Sequence, residues 1–404
     1  MKKGLIILTI LVMLLPLLTA CWNQKELTDL AFVMAMGIDK GKDKKFKVSF
    51  QLVNPGNVTA GQGAGGGGGQ GLPIAVYRST GDTITEAARN ATKKVSRRLY
   101  YAHTNVVVVS EEIAKKELIY ILDALDRDPE FRTTTEMVVA RGCSAEEIVT
   151  TLTILDRLPV NKITKQIKAS EAMLGENTSV NIDDFILGVV SKGKQPFLNG
   201  YRLIGDKPKA RTADNLTKTT TDAYLASDGI AVFYQTKLHG WLDKEKARGV
   251  VWLRDKIKST DINVEWKKKK KAIVVAPLRS KTKISIKFIH QKPVINIAIE
   301  SEGWISEANT DIDLNNPEII SKIDKLVEKE ITKEILTTVK AAQKLKCDIF
   351  GFGDRVHLSY PKRWKKLEGN WPEEFANLNV NVKTNFYIRR EGIRTLPIWS
   401  TMGK

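Results

Sequence analysis

The chain has 404 residues, of which 42% are hydrophobic and 27% charged, a composition typical of globular proteins rather than of disordered or fibrous ones. Lys and Arg number 64 against 46 Asp and Glu, and the resulting net charge of +18 would suit nucleic acid, an anionic membrane surface or an acidic protein. Three cysteines exclude a disulfide scaffold, and four histidines without metal-ligand spacing disfavour a zinc enzyme.

The first twenty residues have the pattern of a secretory signal. Lys2 and Lys3 precede an apolar run over residues 5–18, which is shorter than the roughly 20 residues of a permanent membrane helix. The run leads into Leu18-Thr19-Ala20-Cys21, which has the form of a bacterial lipobox. We therefore expect cleavage between Ala20 and Cys21 and a diacylglyceryl group on Cys21; an uncleaved anchor or a signal without lipidation is the alternative.

Lipidation of Cys21 would place the protein outside the cytoplasm, because two acyl chains hold a protein firmly to one leaflet. Nucleic acid is then not expected as a partner. Cleavage removes Lys2 and Lys3, so the mature chain would carry a net charge of +16.

Strand-like and helical patterns alternate over the next 130 residues. Strands are predicted at residues 30–38, 45–53, 74–78, 106–109 and 136–140, and helices at 82–98, 111–125 and 145–152. The first two strands favour a hairpin. The glycine-rich run over residues 61–71 contains a formal GxGxxG match, but a strand-like segment follows where a phosphate-binding loop needs a helix, so we interpret it as a flexible surface loop.

The second half of the chain changes from helical to β-rich patterns. Helical patterns dominate residues 163–192, a polar stretch over 200–221 is typical of a linker, and two strands and a helix follow from Ala223. Residues 262–305 alternate between apolar and polar side chains. The pattern over residues 317–346 predicts a helix of about 45 Å, with Asn316 as its N-cap. One face of this helix is apolar and should pack against that sheet. The last predicted strand, at residues 379–389, is edge-like.

These elements predict an α+β or α/β multi-domain fold with mixed sheets packed against helices, in which the C-terminal domain has an antiparallel-rich sheet and one long helix. The predicted divisions are a signal peptide at residues 1–20, an N-terminal α/β domain at 21–199, a linker with a small middle α/β domain at 200–260, and a C-terminal α/β domain at 261–404.

Sequence motifs give no support for catalysis. The chain has no GxSxG, HExxH, P-loop or EF-hand pattern. The adjacent acidic pairs Asp183-Asp184 and Glu146-Glu147 are interpreted as solvated charge, and His103 as a structural, hydrogen-bonding histidine. We expect neither catalytic residues nor a metal site nor a cofactor.

One segment concentrates the positive charge. Residues 244–292 contain 16 Lys and Arg against 4 Asp and Glu. Several of these lysines alternate along predicted strands and would project together toward anionic headgroups, or they would only keep exposed strand edges soluble. The predicted patch consists of Lys267, Lys268, Lys269, Lys270, Lys271, Lys281, Lys283 and Lys287.

Four segments, taken in order, resemble the Ger(x)C family, the C-subunit lipoproteins of spore germinant receptors. They are CWNQKELTDLAFVMAMGIDK from Cys21, GDTITEAARNATKKVSRRLYYAHTNVVVVSEEIAKK from Gly81, GIAVFYQTKLHGWL from Gly229 and CDIFGFGDRVHLSYPKRWKKLEGNWPEEF from Cys347. Only Cys21 carries over with a defined chemical role. The matching residues Trp22, Glu26, Asp39, Gly351, Phe352 and Gly353 are assigned to folding or to subunit contacts, with no choice between the two.

The resemblance implies a non-enzymatic protein on the outer face of the spore inner membrane. It further implies assembly with a multi-pass transporter-like subunit and a second membrane subunit that together sense nutrients. A transporter-associated ligand-binding lipoprotein is the alternative, although it needs two similar lobes and the halves of this chain show no internal similarity. A surface-tethered hydrolase is a third hypothesis, which an enclosed pocket with converging titratable groups would favour.

Overall fold

The computed structural model of the chain describes residues 26–55, 71–156 and 158–390, together with Gly4. The predicted lipidation site and most of the glycine-rich run lie outside these residues. Two separate mixed sheets form the architecture, one in each half of the chain, and helices pack against both. This confirms the predicted fold class.

The N-terminal sheet has a parallel centre with antiparallel flanks. Its described strands are β1 (Leu30–Lys40), β2 (Phe46–Val53), β3 (Ile74–Gly81), β4 (Arg98–Tyr100), β5 (Val106–Ser110), β6 (Glu136–Ala140), β7 (Phe197–Gly205), β8 (Ala223–Tyr234) and β9 (Lys237–Leu242). The order is β3-β2-β1-β5-β6-β7-β8-β9, with β4 beside the start of β1. Strands β1, β5, β6 and β7 run parallel, and β1 and β2 form the predicted antiparallel hairpin.

Helices cover both faces of this sheet. They are α1 (Ile84–Ala91), α2 (Glu111–Lys116), α3 (Leu118–Arg127), α4 (Ala145–Thr150), α5 (Pro159–Met173), α6 (Ile182–Val190) and α7 (Asp214–Thr217). Helices α1, α2, α3 and α6 contribute to the core on one face, and α4 and α5 to the core on the other. In β5, Val107 and Val109 belong to the first core, and Val106 and Val108 to the second. The predicted strand buried on both faces is thereby confirmed.

Three predicted boundaries in this half were wrong. The helix expected over residues 82–98 starts after its N-cap Thr83 and ends at Ala91, because the Thr92 side chain bonds back to the Arg89 carbonyl at 2.7 Å and the chain turns there. The helix expected over 111–125 is two helices, separated at Glu117 with φ −116° and ψ 1°. The stretch interpreted as a linker or long loop begins inside β7, since Gly200 pairs with β6 and Tyr201 to Gly205 pair with β8.

The C-terminal sheet has four described strands. They are β10 (Ile262–Trp266), β11 (Lys269–Ile289), β12 (Lys292–Ala308) and β13 (Asn379–Arg390), in that order across the sheet. The first three are antiparallel, and β13 lies parallel to β12 at the edge. Helix α9 (Pro317–Lys344) packs on this sheet, and α10 (Phe352–Ser359), α11 (Pro361–Leu367) and α12 (Trp371–Ala376) follow it.

The long helix matches its prediction at the N-terminus and along its buried face. The side chain of Asn316 accepts the Glu318 N–H at 2.8 Å, and Pro317 occupies the first turn. Its buried side chains recur at helical spacing: Ile323, Val327, Ile331, Ile335, Val339 and Ala342. The helix ends two residues earlier than predicted.

Helix α8 (Glu245–Leu253) connects the two cores. Ala247 and Val250 belong to the N-terminal core, whereas Val251, Trp252 and Leu253 belong to the C-terminal one. Strands β8 and β9, from the segment predicted as a middle domain, continue the N-terminal sheet. The division of the chain into domains stays a prediction. Among the described helices, none combines the length and the apolarity that a bilayer span requires.

Candidate functional site

The predicted patch of lysines is divided between two distant places on the C-terminal sheet. Lys267, Lys268, Lys269, Lys270 and Lys271 are exposed at the turn from β10 to β11, whereas Lys281, Lys283 and Lys287 are exposed in the second half of β11. At about 3.3 Å per residue, the 18 residues from Lys269 to Lys287 extend over as much as roughly 60 Å. The eight lysines are thus divided between the turn from β10 to β11 and the second half of β11.

Acidic residues lie on the segment that pairs with the start of β11 beside the first group of lysines. The end of β12 and the loop after it, which lie opposite the start of β11, carry Glu307, Asp311 and Asp313. The ammonium of Lys269 donates to the carbonyl of Asn309, whose amide donates to Glu307 at 2.7 Å. The fold therefore brings acidic residues of a later segment beside the start of β11, which the linear sequence does not show.

The second group lies on the half of β11 that leads to the closed end of the β11–β12 hairpin, and the other side of this half packs against helices α10 and α11. The rings of Phe288 and Tyr360 meet edge to face with centroids 5.0 Å apart, and the Tyr360 hydroxyl donates to the Ile286 carbonyl at 3.2 Å. The guanidinium of Arg363 lies 4.3 Å from the centre of the Phe288 ring. The fold thus adds the cations of α11 to this end of the hairpin.

A buried carboxylate organises the junction between the two halves of the chain. Asp348 accepts hydrogen bonds from the N–H groups of Phe350 at 3.1 Å and Gly353 at 2.8 Å, and from the indole of Trp371 at 3.0 Å. Burial raises the pKa of Asp348 to about 6, while these donors act in the opposite direction. The carbonyl of Asp348 also accepts the Gln195 N–H at 2.8 Å, which links the two halves through their backbones.

Glycines permit a close backbone contact at the same junction. The N–H of Asp354 donates to the Gly193 carbonyl at 3.2 Å, and the Asp354 carboxylate accepts the Ser191 hydroxyl at 2.6 Å. A Cβ atom on Gly353 would come within 2.6 Å of Gly193 Cα, closer than side chains approach a backbone. Gly351 has a φ of +72°, in the left-handed region. Of the two glycines in Asp348–Gly353, Gly353 is therefore used in packing the two halves together, and Gly351 supplies the left-handed residue that precedes α10.

Asp39, which belongs to the family-like segment that begins at Cys21, lies at the carboxyl end of β1. Its two carboxylate oxygens accept the N–H groups of Ala145 at 2.8 Å and Glu146 at 2.9 Å, so it caps α4. Burial raises the pKa of Asp39, and these two backbone N–H groups oppose the shift. An open cleft of about 730 Å³ beside it is lined by side chains of mixed charge, among them Lys42, Glu111 and Cys143.

Three of the four residues in the acidic pairs have structural partners. Glu146 is buried and pairs with Lys47 and, at 2.5 Å, with Arg78; its interpretation as solvated charge was wrong. Glu147 and Asp184 complete capping boxes with Ser144 and Asn181. Asp183 is exposed, as expected.

His103, predicted as a structural histidine, is exposed and contacts aromatic rings. Its ring lies edge-on to Phe32 and Tyr100, at 5.4 and 5.8 Å between centroids. Cys143 and Cys347 are free thiols, and burial raises their pKa to about 11 and about 12, so both are poor nucleophiles at neutral pH. Within the described ranges, no three His, Cys, Asp or Glu side chains are grouped to hold a metal ion.

The fold and these contacts define a class: a two-sheet α+β protein whose motif residues serve capping and the junction between its halves. A model described as the N-terminal domain of spore germination proteins matches residues 23–203, and a model described as "Spore germination B3/GerAC like, C-terminal" matches residues 228–392. The chain belongs to the Ger(x)C family of spore germination proteins.

Curated relatives match along almost their whole length. The chain is 40% identical to spore germination protein KC of Bacillus subtilis over 402 residues, which cover 98% of each chain. It is 22% identical to spore germination protein B3 of the same organism, over 94% of this chain and 96% of the relative. The crystal structure of the GerBC protein has the same fold, with a TM-score of 0.52 and 17% identity over 88% of this chain and 96% of that one.

Proposed function

We propose that this protein is the lipid-anchored C subunit of a nutrient-sensing germinant receptor. It would trigger spore germination through contacts with membrane subunits, without catalysing a reaction itself. The observation that carries the proposal is the 40% identity to spore germination protein KC over 98% of both chains. The lipobox ending at Cys21 supplies the means of attachment.

The proposed location is the outer face of the spore inner membrane, with diacylglyceryl on Cys21 as the anchor. Glu26 lies five residues after Cys21, a distance of at most about 17 Å for an extended chain. The folded body would therefore stay near the membrane surface, where multi-pass receptor subunits can contact it.

The packed junction between the halves supports an interaction role over ligand capture. A ligand-binding lipoprotein of the transporter-associated kind needs a cleft between two similar lobes that can close. Here the two sheets differ in strand number and order, and Asp348, Gly353 and Gly193 join the halves through backbone hydrogen bonds and direct contact.

Replacement of Cys21 by Ala tests the anchor and the function together. In sporulating cells we expect the C21A protein to leave the membrane fraction and germination through this receptor to fail. Cys143→Ala is the matched control, because it removes a half-buried thiol that is far from the lipobox in sequence. Loss of membrane association with full germination would refute the tethered-subunit mechanism.

A further inference from the structure

The closed end of the β11–β12 hairpin and helices α10 and α11 together form a surface that contains cations and no carboxylates. Residues 282–299 contain three Lys and no Asp or Glu, and residues 355–367 contain five Lys and Arg and no Asp or Glu. We call these eight residues the basic tip: Lys283, Lys287, Lys292, Arg355, Lys362, Arg363, Lys365 and Lys366. All eight are exposed.

The cations of the basic tip differ from Lys281 and Arg389 of the same sheet in having no acidic partner in the described part of the chain. None of the eight forms an ion pair with another described residue, whereas Lys281 pairs with Asp255 and Arg389 with Glu302. The two carboxylates that flank residues 355–367 in sequence are engaged elsewhere. Asp354 binds Ser191, and Glu368 lies 3.4 Å from the ammonium of Lys192. The positive potential of the basic tip is therefore not neutralised locally.

Cations lie on both sides of the hairpin end. Along β11, Ile286 is buried and Phe288 contacts Tyr360, so this side of the strand faces α10 and α11. Lys283 and Lys287 alternate with these residues and project from the opposite side. The end of the hairpin thus lies between two groups of positive charge.

Aliphatic side chains are exposed among these cations. Leu358 is 82% exposed and Ile289 is 54% exposed, and they lie on the two elements that the Phe288–Tyr360 contact joins. Single exposed aliphatic residues are common, but both of these lie on elements that carry cations of the basic tip: Ile289 is on the Lys287 side of β11, and Leu358 is on α10 with Arg355. Lys and Arg around exposed aliphatic residues are the arrangement that surface-bound proteins use at the boundary between headgroups and acyl chains.

We propose that the basic tip is a second membrane contact, which binds anionic phospholipid headgroups while Ile289 and Leu358 enter between them. An acidic protein would match the charge but gives no role to the two aliphatic side chains. The choice of a membrane rests in part on the proposed function, since an acylated Cys21 would hold the protein at a bilayer. Two contacts, one at the acylated N-terminus and one on the folded body, would fix the orientation of the protein on the membrane.

Vesicle binding by the unacylated mature chain tests this proposal separately from the anchor. The protein begins at residue 21, carries Cys21→Ser, and is mixed with vesicles of phosphatidylcholine alone or with about 30% phosphatidylglycerol. We expect sedimentation with the anionic vesicles only, and weaker binding at high salt. Absence of binding would overturn the second contact and leave the acyl anchor unaffected.

A charge-matched pair of variants locates the contact. The tip variant replaces Lys283, Lys287, Lys362, Lys365 and Lys366 by Gln, and the control variant replaces Lys267 to Lys271 by Gln, so both lose five charges. We expect binding to anionic vesicles to weaken on the order of 10- to 100-fold in the tip variant and less than about 3-fold in the control. Equal weakening would mean that net charge alone drives binding, and would overturn the proposal.

Two further variants separate a membrane from an acidic protein. Ile289→Ser with Leu358→Ser should weaken binding to anionic vesicles while leaving the binding of soluble polyglutamate unchanged. Leu358→Trp should show a blue shift of its fluorescence when anionic vesicles are added, because the indole would leave water. Binding to polyglutamate as tight as to vesicles, with no effect of the serine changes, would assign the surface to an acidic protein instead.

Discussion

The indole Nε1 of Trp371 donates a hydrogen bond to Asp348 Oδ2 at 3.0 Å, inside the C-terminal core. The same oxygen accepts the Gly353 N–H, so one carboxylate fixes α12 and the start of α10 relative to each other. The backbone carbonyl of Asp348 accepts the Gln195 N–H. The residue whose side chain binds Trp371 and Gly353 therefore also joins the two halves of the chain.

The buried carboxyl of Asp348 should make stability depend on pH. Its pKa is about 6 in the folded protein against 3.8 ordinarily, so the folded state binds the proton more tightly and stability falls as pH rises from about 4 to about 6. The two-unit difference corresponds to a loss on the order of 3 kcal/mol. Urea unfolding of the parent and of Asp348→Asn at several pH values measures the free energy of unfolding. We expect it to change less with pH in the variant. The same pH dependence in both proteins would contradict a raised pKa of Asp348.

Gly353→Ala should loosen the junction. Its Cβ would lie 2.6 Å from both Gly193 Cα and the indole nitrogen of Trp371, so backbone must shift. We expect a loss of about 1–3 kcal/mol in the free energy of unfolding. Gly369→Ala is the matched control, because a Cβ atom there would meet no other atom within 4 Å and its change should stay within about 0.5 kcal/mol. Similar effects of the two substitutions would refute close packing at Gly353.

Replacing only one partner of the buried ion pair between α8 and α9 should destabilise the folded protein. Arg248 binds Glu334 through two hydrogen bonds of 2.9 and 2.8 Å, and burial raises the pKa of Glu334. Glu334→Gln leaves the guanidinium buried without its hydrogen-bonded carboxylate, with Glu176 and Glu245 as the remaining nearby negative charges, and we expect a loss of about 3 kcal/mol in urea unfolding. The double variant Arg248→Met with Glu334→Leu should recover much of that loss; a single variant that unfolds like the parent would show that the pair is not shielded from water.

Asp39→Asn should weaken the start of α4. An amide offers one acceptor oxygen where the carboxylate uses two, so one of the N–H groups of Ala145 and Glu146 would lose its partner. We expect a loss of about 1–3 kcal/mol, measured by thermal or urea unfolding. Asp183→Asn, an exposed change in the first turn of α6, serves as the control and should have an effect below about 0.5 kcal/mol.

Local sequence patterns predicted most elements of the fold, and they failed where distant segments meet. The alternation along β11 and β12 and the apolar face of α9 are properties of consecutive residues, and the structure confirms them. The strand character of residues 201–205 depends on pairing with β8, and a polar, glycine-containing stretch gives little local indication of it.

The sequence located the charge only in part. The prediction emphasised Lys267 to Lys271 because these lysines are consecutive. Acidic residues of a segment some forty residues later lie beside the start of β11 only in the folded protein. The cations of α11 were not included because they lie about 70 residues after the turn of the hairpin. The absence of any acidic residue over residues 355–367 was the signal that could have identified them.

The ladder between β7 and β8 crosses the border between the two segments that the family models match. The first segment ends at residue 203 and the second begins at 228, yet Leu203 pairs with Leu225 and Arg202 with Ala226 inside one sheet. A fragment ending at residue 203 would expose the backbone of β7 as an unpaired edge and invite aggregation. A fragment that keeps this sheet whole therefore ends beyond β9, after Leu242, rather than at the border that sequence comparison suggests.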